Sequence, residues 1–293
     1  MTMELSGLAR WAGLEQVTQD RAEVVVAGIP YDGSAVYRKG AALAPDAIRV
    51  LSASLPPVDE RGRSLTGLHL HDLGDLRMAD GVEAGWARVA DRLAAVPAGA
   101  ALSVLGGDHC AAIPVLAAQA RRHPDLALLW VDAHPDLCDS SRGGRWTCGC
   151  ALRRGLEVSG IDPAAVVLVG VRDFDPEEID FIRERGVTMV TAADLDDQPQ
   201  ESLDRIREAL AGRSVQVSFD IDALDPAHAP GTEIAVAGGM STRQALRLIR
   251  QIAQGTSLVG FDVFEVAPPL DHADVTVLAA LKLLLETWPL LEA

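Results

Sequence analysis

Three short segments of the chain place histidine and aspartate residues at spacings that suit metal binding. They read GGDH (106–109), DAHPD (132–136) and DID (220–222). Residues i, i+2 and i+4 of an extended chain share one side, so the acidic and imidazole side chains of the second segment converge, as do the two aspartates of the third. The predicted metal ligands are His109, Asp132, His134, Asp136, Asp220 and Asp222.

The composition of this ligand set indicates the kind and number of ions. Two imidazoles and four carboxylates suit borderline-hard divalent cations such as manganese, whereas a closed structural zinc site would favour thiolates. Four clustered carboxylates without cations would repel one another and take up protons. Two dications balance the four negative charges, and bridging carboxylates would hold them roughly 3.5–4 Å apart, as in dinuclear hydrolase sites. A lone aspartate after a strand is more often a helix cap, but the conjunction of three motifs predicts a dinuclear hydrolase.

The elements that must position these residues follow from the hydrophobic pattern. Short apolar and β-branched runs predict eight strands, at 22–28, 68–74, 100–106, 126–132, 165–171, 187–190, 214–220 and 257–263. Helical spacing predicts helices at 44–54, 111–122, 177–186, 201–212 and 241–255.

Strands that alternate with helices indicate right-handed crossovers and a parallel sheet covered on both faces. The predicted fold is a single three-layer α/β/α domain over residues 1–293, with a mostly parallel eight-stranded sheet, since no linker or internal repeat marks a second domain. The metal-binding segments each follow a predicted strand, at the sheet edge where such folds bind ligands. Gly186, Gly212 and Gly255 are predicted left-handed helix C-caps, and Ser241 a predicted N-cap.

Composition narrows the range of partners. The 293 residues carry a formal net charge of −16, which disfavours nucleic-acid and anionic-membrane partners and favours cationic ligands. No apolar run approaches eighteen residues, and the first residues lack the pattern of a secretory signal, so a soluble, cytoplasmic protein is expected. The four cysteines are too few for a disulfide scaffold, and reduced thiols are expected.

The motifs together resemble the ureohydrolase (arginase/agmatinase) family. GGDH, DAHPD and SFDIDALDP (218–226) occur in the family's order, followed by FDVFEVAPP (261–269), and the similarity extends from residue 28 to residue 276. The last motif and the PGT at 230–232 are more similar to agmatinases than to arginases. The resemblance implies an arginase-like fold, a site with two Mn²⁺ ions per chain, hydrolysis of a guanidino compound to urea and an amine, and a homo-oligomer, either a trimer or a hexamer.

The resemblance also implies a role for each residue. One ion is assigned to His109 and Asp136, the other to His134 and Asp222, and the bridging carboxylates are Asp132 and Asp220. Asp136 is implied as the catalytic acid and base, which takes the proton of a metal-bridging hydroxide and delivers it to the departing amine. Glu265 is implied to pair with the substrate's guanidinium, as a catalytic and substrate-binding residue.

Two departures from the family concern the mouth of the site. Cys148 stands where many relatives have a histidine, and we predict that it packs quietly or faces the substrate rather than taking part in catalysis. A zinc site formed by Cys138, Cys148 and Cys150 is a weaker alternative, because the paired spacing of such sites is missing. Agmatinases usually continue after PGT through further proline and glutamate residues, whereas this segment reads Glu233-Ile234-Ala235-Val236-Ala237, so the entrance is expected to differ.

These departures leave the substrate open. In the segment 137–147, Asp139 and Ser140 offer oxygens to a distal amine, whereas Arg142 and Arg145 suit a carboxylate. Arg145, Cys148 and Glu265 are the predicted substrate-binding residues. The leading hypothesis is agmatine or a near relative, and the alternatives are guanidinobutyrate or another guanidino acid, arginine, hydroxyarginine, formiminoglutamate, or a catalytically silent metal-binding subunit.

Overall fold

The computed structural model describes residues 10–78 and 82–292. Its strands are β1 (Glu15–Gln16), β2 (Val24–Ile29), β3 (His69–Asp75), β4 (Ala101–Gly106), β5 (Ala127–Val131), β6 (Val166–Val171), β7 (Thr188–Thr191), β8 (Ser214–Asp220) and β9 (Ser257–Phe264). The eight predicted strands are therefore confirmed. The additional strand β1 has only two exposed residues, too few for a hydrophobic pattern to reveal it.

The nine strands form one sheet in the order β1-β3-β2-β4-β9-β8-β5-β6-β7. Every described pair of neighbouring strands is parallel. The chain begins in one half of the sheet, crosses to the other half after β4, and returns to the centre through β8 and β9. This reversal places the carboxyl ends of β4, β5, β8 and β9 near one another, the position at which open α/β sheets bind ligands.

The two faces of the sheet build separate hydrophobic cores. On β2, Val24 and Val26 belong to one core while Val25 and Ala27 belong to the other, and all four side chains are at most 1% exposed. Because both faces are dry, the strand is apolar at every position instead of alternating. The helical segments that close these cores make up the two outer layers, so the three-layer α/β/α prediction is confirmed.

The helices are distributed over both faces. In chain order they are α1 (Ala44–Ser52), α2 (Val82–Ala94), α3 (Ala112–Arg122), α4 (Ala151–Ser159), α5 (Pro176–Arg185), α6 (Ala192–Asp197), α7 (Pro199–Leu210), α8 (Thr242–Ala253) and α9 (Val275–Thr287). Helices α1, α7, α8 and α9 cover one face, and α2, α3, α4 and α5 the other. None of the helices in the described part of the chain is long and apolar enough to cross a membrane.

Ser241 and Gly186 cap their helices as predicted, whereas α7 ends through Ala211, one residue before Gly212. Ser241 accepts a hydrogen bond from the Gln244 amide and forms a capping box, as expected of an N-cap. Gly186 ends α5 in the left-handed conformation at φ 71°, and Gly212 has the same φ just after α7. The prediction for Gly255 is wrong, because α8 ends through Gln254 in a right-handed conformation and Gly255 does not adopt positive φ.

The junction of β4 and β9 at the centre of the sheet relies on side chains. Only two residue pairs bridge these strands directly. Between them, Asp262 accepts a hydrogen bond from the Val104 amide at 2.7 Å, and the Ser103 hydroxyl donates to the Phe261 carbonyl at 2.6 Å. The second carboxylate oxygen of Asp262 accepts a hydrogen bond from the side-chain amide of Gln216 at 2.7 Å. A buried polar network therefore joins the two strands that are followed by His109 and Glu265.

Candidate active site

The loop after β4 carries the first predicted ligand, and Gly107 in this loop allows a very close chain crossing. A Cβ atom on Gly107 would lie 1.7 Å from the backbone oxygen of Tyr31. The Asp108 amide donates to that same oxygen at 2.7 Å. Any side chain at Gly107 would therefore separate the β2 and β4 loops and displace His109, which explains the glycine in physical terms.

His109 is held in a fully buried, well-defined orientation. Its ring stacks on Trp130 at a centroid distance of 3.8 Å, with Phe264 4.9 Å away. Its Nε2 lies 3.0 Å from the Ser218 hydroxyl. The other nitrogen, Nδ1, has no hydrogen-bond partner although it is buried. Instead it faces carboxylate oxygens of Asp132 and Asp220 at 3.0 Å and of Asp136 at 3.4 Å.

A second group of ligands forms around His134. Its Nδ1 lies 3.2 Å from Asp222 and 3.4 Å from Asp132. Asp132 is thus shared, since one of its oxygens faces His109 and the other faces His134. Asp132 therefore lies between the two histidines, and its bridging of two ions stays a prediction.

The two groups have the dimensions of metal sites. Ligands bound at about 2.1 Å and 90° apart are about 3 Å from each other. The nitrogen-to-oxygen distances of 3.0–3.4 Å match this spacing, and the unpartnered Nδ1 of His109 is oriented as a ligand would be. If Nδ1 binds a cation, Nε2 carries the proton and donates to Ser218, a second hydrogen bond that fixes the ring. The six predicted ligands therefore lie together and fit two divalent cations, one near each histidine.

Burial and like charges perturb the titration of this cluster. Burial, reinforced by the negative charge of Asp132, raises the pKa of Asp136 well above its ordinary value. The pKa of Asp220 is raised well above its ordinary value in the same way, by burial and then by Asp222. For His134, burial lowers the pKa, but Asp222 and Asp132 outweigh it and raise the pKa to about 12. The cluster thus attracts positive charge strongly.

Two of the functional carboxylates sit on unusual backbone. Asp136 and Glu265 have φ of 55° and 61°, in the left-handed region that non-glycine residues rarely adopt. Each is held by the surrounding chain, since the Asp136 carbonyl accepts from the Arg153 amide and the Glu265 amide donates to the Gly107 carbonyl. Strained backbone that its surroundings enforce is typical of functional sites.

A cavity of about 300 Å³ opens over the metal ligands and extends to Glu265. One oxygen of Glu265 accepts hydrogen bonds from the His109 amide at 2.8 Å and from the Cys148 thiol at 3.3 Å. The other oxygen, Oε2, is buried and unpartnered. Cys148 itself lines the cavity, and burial together with Glu265 raises the pKa of its thiol well above the ordinary value. The thiol is therefore a neutral hydrogen-bond donor to Glu265.

The loop between β5 and α4 places its two candidate arginines differently. The Arg145 guanidinium lies 3.2 Å from Asp139 and 3.6 Å from Glu157, and Arg145 is not part of the cavity lining. Asp139 also binds the buried Arg154 at 2.8 Å. Ser141 and Arg142 line the cavity instead. The geometry thus disfavours the predicted substrate contacts of Arg145 and Asp139 and points to Arg142.

The three-cysteine zinc site does not form among the described residues. Cys138 faces Asp175, whose carboxylate lies 3.4 Å from the thiol, while Cys148 faces Glu265. Cys150 is within reach of the Thr147 hydroxyl. All four cysteines are free thiols, as expected.

Sequence reasoning missed residues that orient the ligands. The Trp130 indole donates to Asp132 at 2.9 Å, and Ser218 contacts His109. Each lies two residues before an aspartate ligand on its strand, so the same alternation that selected the ligands points to them as well. Glu233, which lines the cavity opposite Cys148, carries no such signal because it lies in an irregular loop.

Comparison with known proteins agrees with this site. A profile of the arginase family matches residues 22–288. The chain belongs to the arginase family. It is 37% identical over 271 residues to a proclavaminate amidinohydrolase of Streptomyces clavuligerus, covering 89% of this chain and 85% of that protein. It is also 35% identical over 280 residues to an agmatinase of Bacillus anthracis, covering 91% of each chain.

Solved structures lead to the same family. The structure of proclavaminate amidinohydrolase from Streptomyces clavuligerus superposes with a TM-score of 0.89 at 34% identity, covering 99% of this chain and 98% of that one. The sequence-based resemblance and the arginase-like fold are thereby confirmed. As a member of this metal-dependent family, the chain is an amidinohydrolase that acts on small guanidino compounds.

Proposed function

We propose that this arginase-family chain hydrolyses agmatine, or a guanidine of similar length with a cationic end, at a dimanganese centre. The observation that carries the proposal is the charge of the cavity beside the metal ligands. It is lined by one arginine, Arg142, and by eight carboxylates, namely Asp136, Asp173, Asp175, Glu178, Asp220, Asp222, Glu233 and Glu265. After two dications are counted, such a lining still favours a substrate with positive charge at both ends.

The residues of the site divide the chemical work. A guanidinium carbon is a poor electrophile, and two divalent cations held by the six ligands would lower the pKa of bound water to about 7, supplying hydroxide at neutral pH. The unpartnered Oε2 of Glu265 is available to accept N–H groups of the guanidinium and orient its carbon. Asp136, buried beside the ligand cluster, would accept the proton of the nucleophile and return it to the leaving amine.

Arg142 favours a second candidate substrate class, the guanidino acids. Its side chain lines the cavity and forms no ion pair with any described residue, in contrast to Arg145. A free guanidinium at the mouth can bind a carboxylate bidentately. The similarity to proclavaminate amidinohydrolase shows that relatives of this chain include enzymes other than agmatinases.

A matched substrate series tests the proposal. Agmatine, guanidinobutyrate and arginine share one guanidino chain but end in an amine, a carboxylate, or both. We expect manganese-loaded protein to release urea fastest from agmatine. A preference for guanidinobutyrate that Arg142→Gln abolishes and Arg145→Gln leaves intact would instead establish the guanidino-acid candidate.

The same experiment tests the alternative that the chain is a catalytically silent metal-binding subunit. Manganese-loaded homomeric protein that releases neither urea nor formamide from guanidino or formimino substrates would overturn the proposed function. Light scattering on the same sample tests the predicted trimer or hexamer, and metal analysis tests the proposed two Mn²⁺ ions per chain.

A further inference from the structure

We propose that Glu233 is a second guanidinium-binding carboxylate, which binds the substrate together with Glu265 beside the Cys148 thiol. The inference rests on the proposed function and assigns a substrate contact to a loop where the chain departs from the family pattern. Glu233 is 4% exposed and lines the same cavity as Glu265.

The spacing of the two carboxylates suits one amino group of a guanidinium. The thiol sulfur of Cys148 lies 3.3 Å from Glu265 Oε1 and 3.9 Å from Glu233 Oε2, and one oxygen of each carboxylate lies within 4.8 Å of the other. An NH₂ group that donates its two N–H bonds 120° apart, each at about 2.9 Å, spans roughly 5 Å between its acceptors. A terminal nitrogen of the substrate can therefore bind both residues at once.

The backbone around Glu233 leaves one of its oxygens for a ligand. Glu233 Oε1 accepts a hydrogen bond from the Tyr37 amide, and the neighbouring amides of Val36 and Arg38 also face the carboxylate. The Arg38 guanidinium binds the backbone carbonyl of Glu233, at 2.8 Å, and not its carboxylate. The loop 36–38 thus fixes the side chain through Oε1, while Oε2 faces Cys148 and the cavity.

The chain itself supplies no cation to this acidic group. Among the described residues, no lysine, arginine or histidine forms an ion pair with Glu233 or Glu265, and Asp108 lies close enough to add further negative charge. Glu265 Oε2 and Asp108 Oδ1 are both buried without hydrogen-bond partners. A substrate guanidinium would supply the missing charge and donors.

The test compares Glu233→Gln with Glu233→Ala. In Glu233→Gln the amide oxygen can still accept from the loop 36–38, so its NH₂ group is turned towards the cavity and opposes the N–H groups of the substrate. We expect the KM for agmatine to rise at least tenfold in Glu233→Gln, with kcat changed less than threefold and manganese content unchanged. Glu233→Ala also loses the loop anchor and should be impaired at least as much.

A control variant distinguishes the loss of this contact from a general loss of negative charge. Glu177→Gln removes one exposed carboxylate from the first turn of α5, outside the cavity lining, and should change KM less than threefold. A KM for Glu233→Gln within threefold of wild type overturns the inference. So does a loss of activity in Glu233→Gln that is accompanied by loss of manganese, because that result would indicate a purely structural role.

A binding measurement makes the inference independent of turnover. Calorimetry with guanidinium chloride on manganese-loaded protein should show at least tenfold weaker binding to Glu233→Gln than to wild type and Glu177→Gln. Equal binding to all three proteins overturns the inference even if wild type hydrolyses agmatine. If wild type releases no urea, the proposed function fails, and the calorimetric comparison still decides whether Glu233 binds a guanidinium.

Discussion

Asp136 combines three properties at one residue: burial, left-handed backbone and a raised pKa. A proton carrier beside the nucleophile gains from the first two, because its position is fixed before the substrate binds. We expect Asp136→Asn to lower kcat by roughly 10²–10⁴-fold, since an amide cannot transfer the proton. Urea release under saturating agmatine measures this effect.

Metal analysis of Asp136→Asn distinguishes a loss of proton transfer from a loss of bound metal. The remaining ligands include His109, Asp132 and Asp220, whose contacts do not depend on the charge of Asp136, so at least one manganese ion per chain should remain. A variant with a near-wild-type rate refutes the assigned role. A variant without any metal would show that Asp136 is needed first of all for assembly of the site.

Cys148 supports a different prediction because it contacts Glu265 as a neutral donor. Serine can donate the same hydrogen bond through a shorter side chain, whereas alanine cannot donate at all. We therefore expect Cys148→Ser to keep kcat within about tenfold of wild type. Cys148→Ala should lose more activity, chiefly because its KM rises, since a hydrogen bond to a charged group contributes about 1.5–3 kcal/mol. A loss of more than a hundredfold in kcat for Cys148→Ser would reveal a catalytic thiol.

At the scale of elements, the β4–β9 junction determines how well the site is held. Asp262 replaces backbone pairing there, since its two oxygens satisfy the Val104 amide and Gln216. Asp262→Ala removes the acceptor of the buried Val104 amide and one of the two acceptors of the Gln216 side-chain amide, which should cost about 1–3 kcal/mol of unfolding free energy. Chemical denaturation measures this loss. Asp91→Ala, which breaks an exposed ion pair with Arg121, should cost less than about 1 kcal/mol.

The protonation of Asp262 should make the stability of the folded chain depend on pH. Burial raises its pKa well above the ordinary 3.8, so the folded chain keeps a proton that the unfolded chain releases. This contribution to stability is fully present below the unfolded pKa and is lost as the pH rises towards the folded value. Asp262→Asn lacks the titration, so its stability relative to wild type should improve as the pH is raised from acidic to neutral. A difference that stays constant with pH would contradict this assignment.

The central strands were predictable because strands such as β2, β4, β5 and β6 are buried on both faces and read as apolar runs. Helices α2, α4, α6 and α9 were not predicted from the sequence, for different physical reasons. Helix α9 is buried nearly all round, so it does not show the one-sided apolar pattern of a surface helix. Helix α4 does have a one-sided apolar face, but it is only nine residues long and begins directly after the cysteine-rich loop. The C-cap predicted at Gly255 is absent, since a glycine after a helix permits the left-handed conformation without requiring it.

The metal ligands were predictable because strand geometry converts sequence spacing into spatial proximity. The substrate contacts were not, since the loops that carry Arg142, Arg145 and Glu233 follow no period. Arg142 and Arg145 are equivalent in sequence, yet only the former lines the cavity, because Asp139 and Glu157 bind the latter. Specificity therefore becomes visible only when side-chain partners are known.

At the scale of the whole molecule, the net charge of −16 is concentrated in part around a cation-binding centre. The six predicted metal ligands come from the ends of three strands, β4, β5 and β8, which lie in both halves of the sheet, so cations bound among them would hold those halves together. Metal binding to the folded state alone should therefore stabilise the entire chain.

This coupling predicts a large thermal shift. At a hundredfold excess over Kd, each manganese ion contributes about 2.7 kcal/mol, and two ions should raise the Tm of a chain of this size by about 9 °C relative to protein treated with EDTA. The shift should grow as the pH rises, because the raised pKa values of Asp136 and Asp220 make cations compete with protons for these carboxylates.

Variants of single carboxylates test which of them are needed for the manganese-induced rise in Tm. Asp132 faces both histidines, so Asp132→Asn should remove most of the manganese-induced shift, while Asp91→Asn on the exposed surface should retain it in full. Differential scanning fluorimetry with manganese, with magnesium at the same ionic strength, and with EDTA separates specific binding from screening. Equal melting temperatures under all three conditions would mean that the folded chain is already stable without cations, contrary to the repulsion expected of four buried carboxylates.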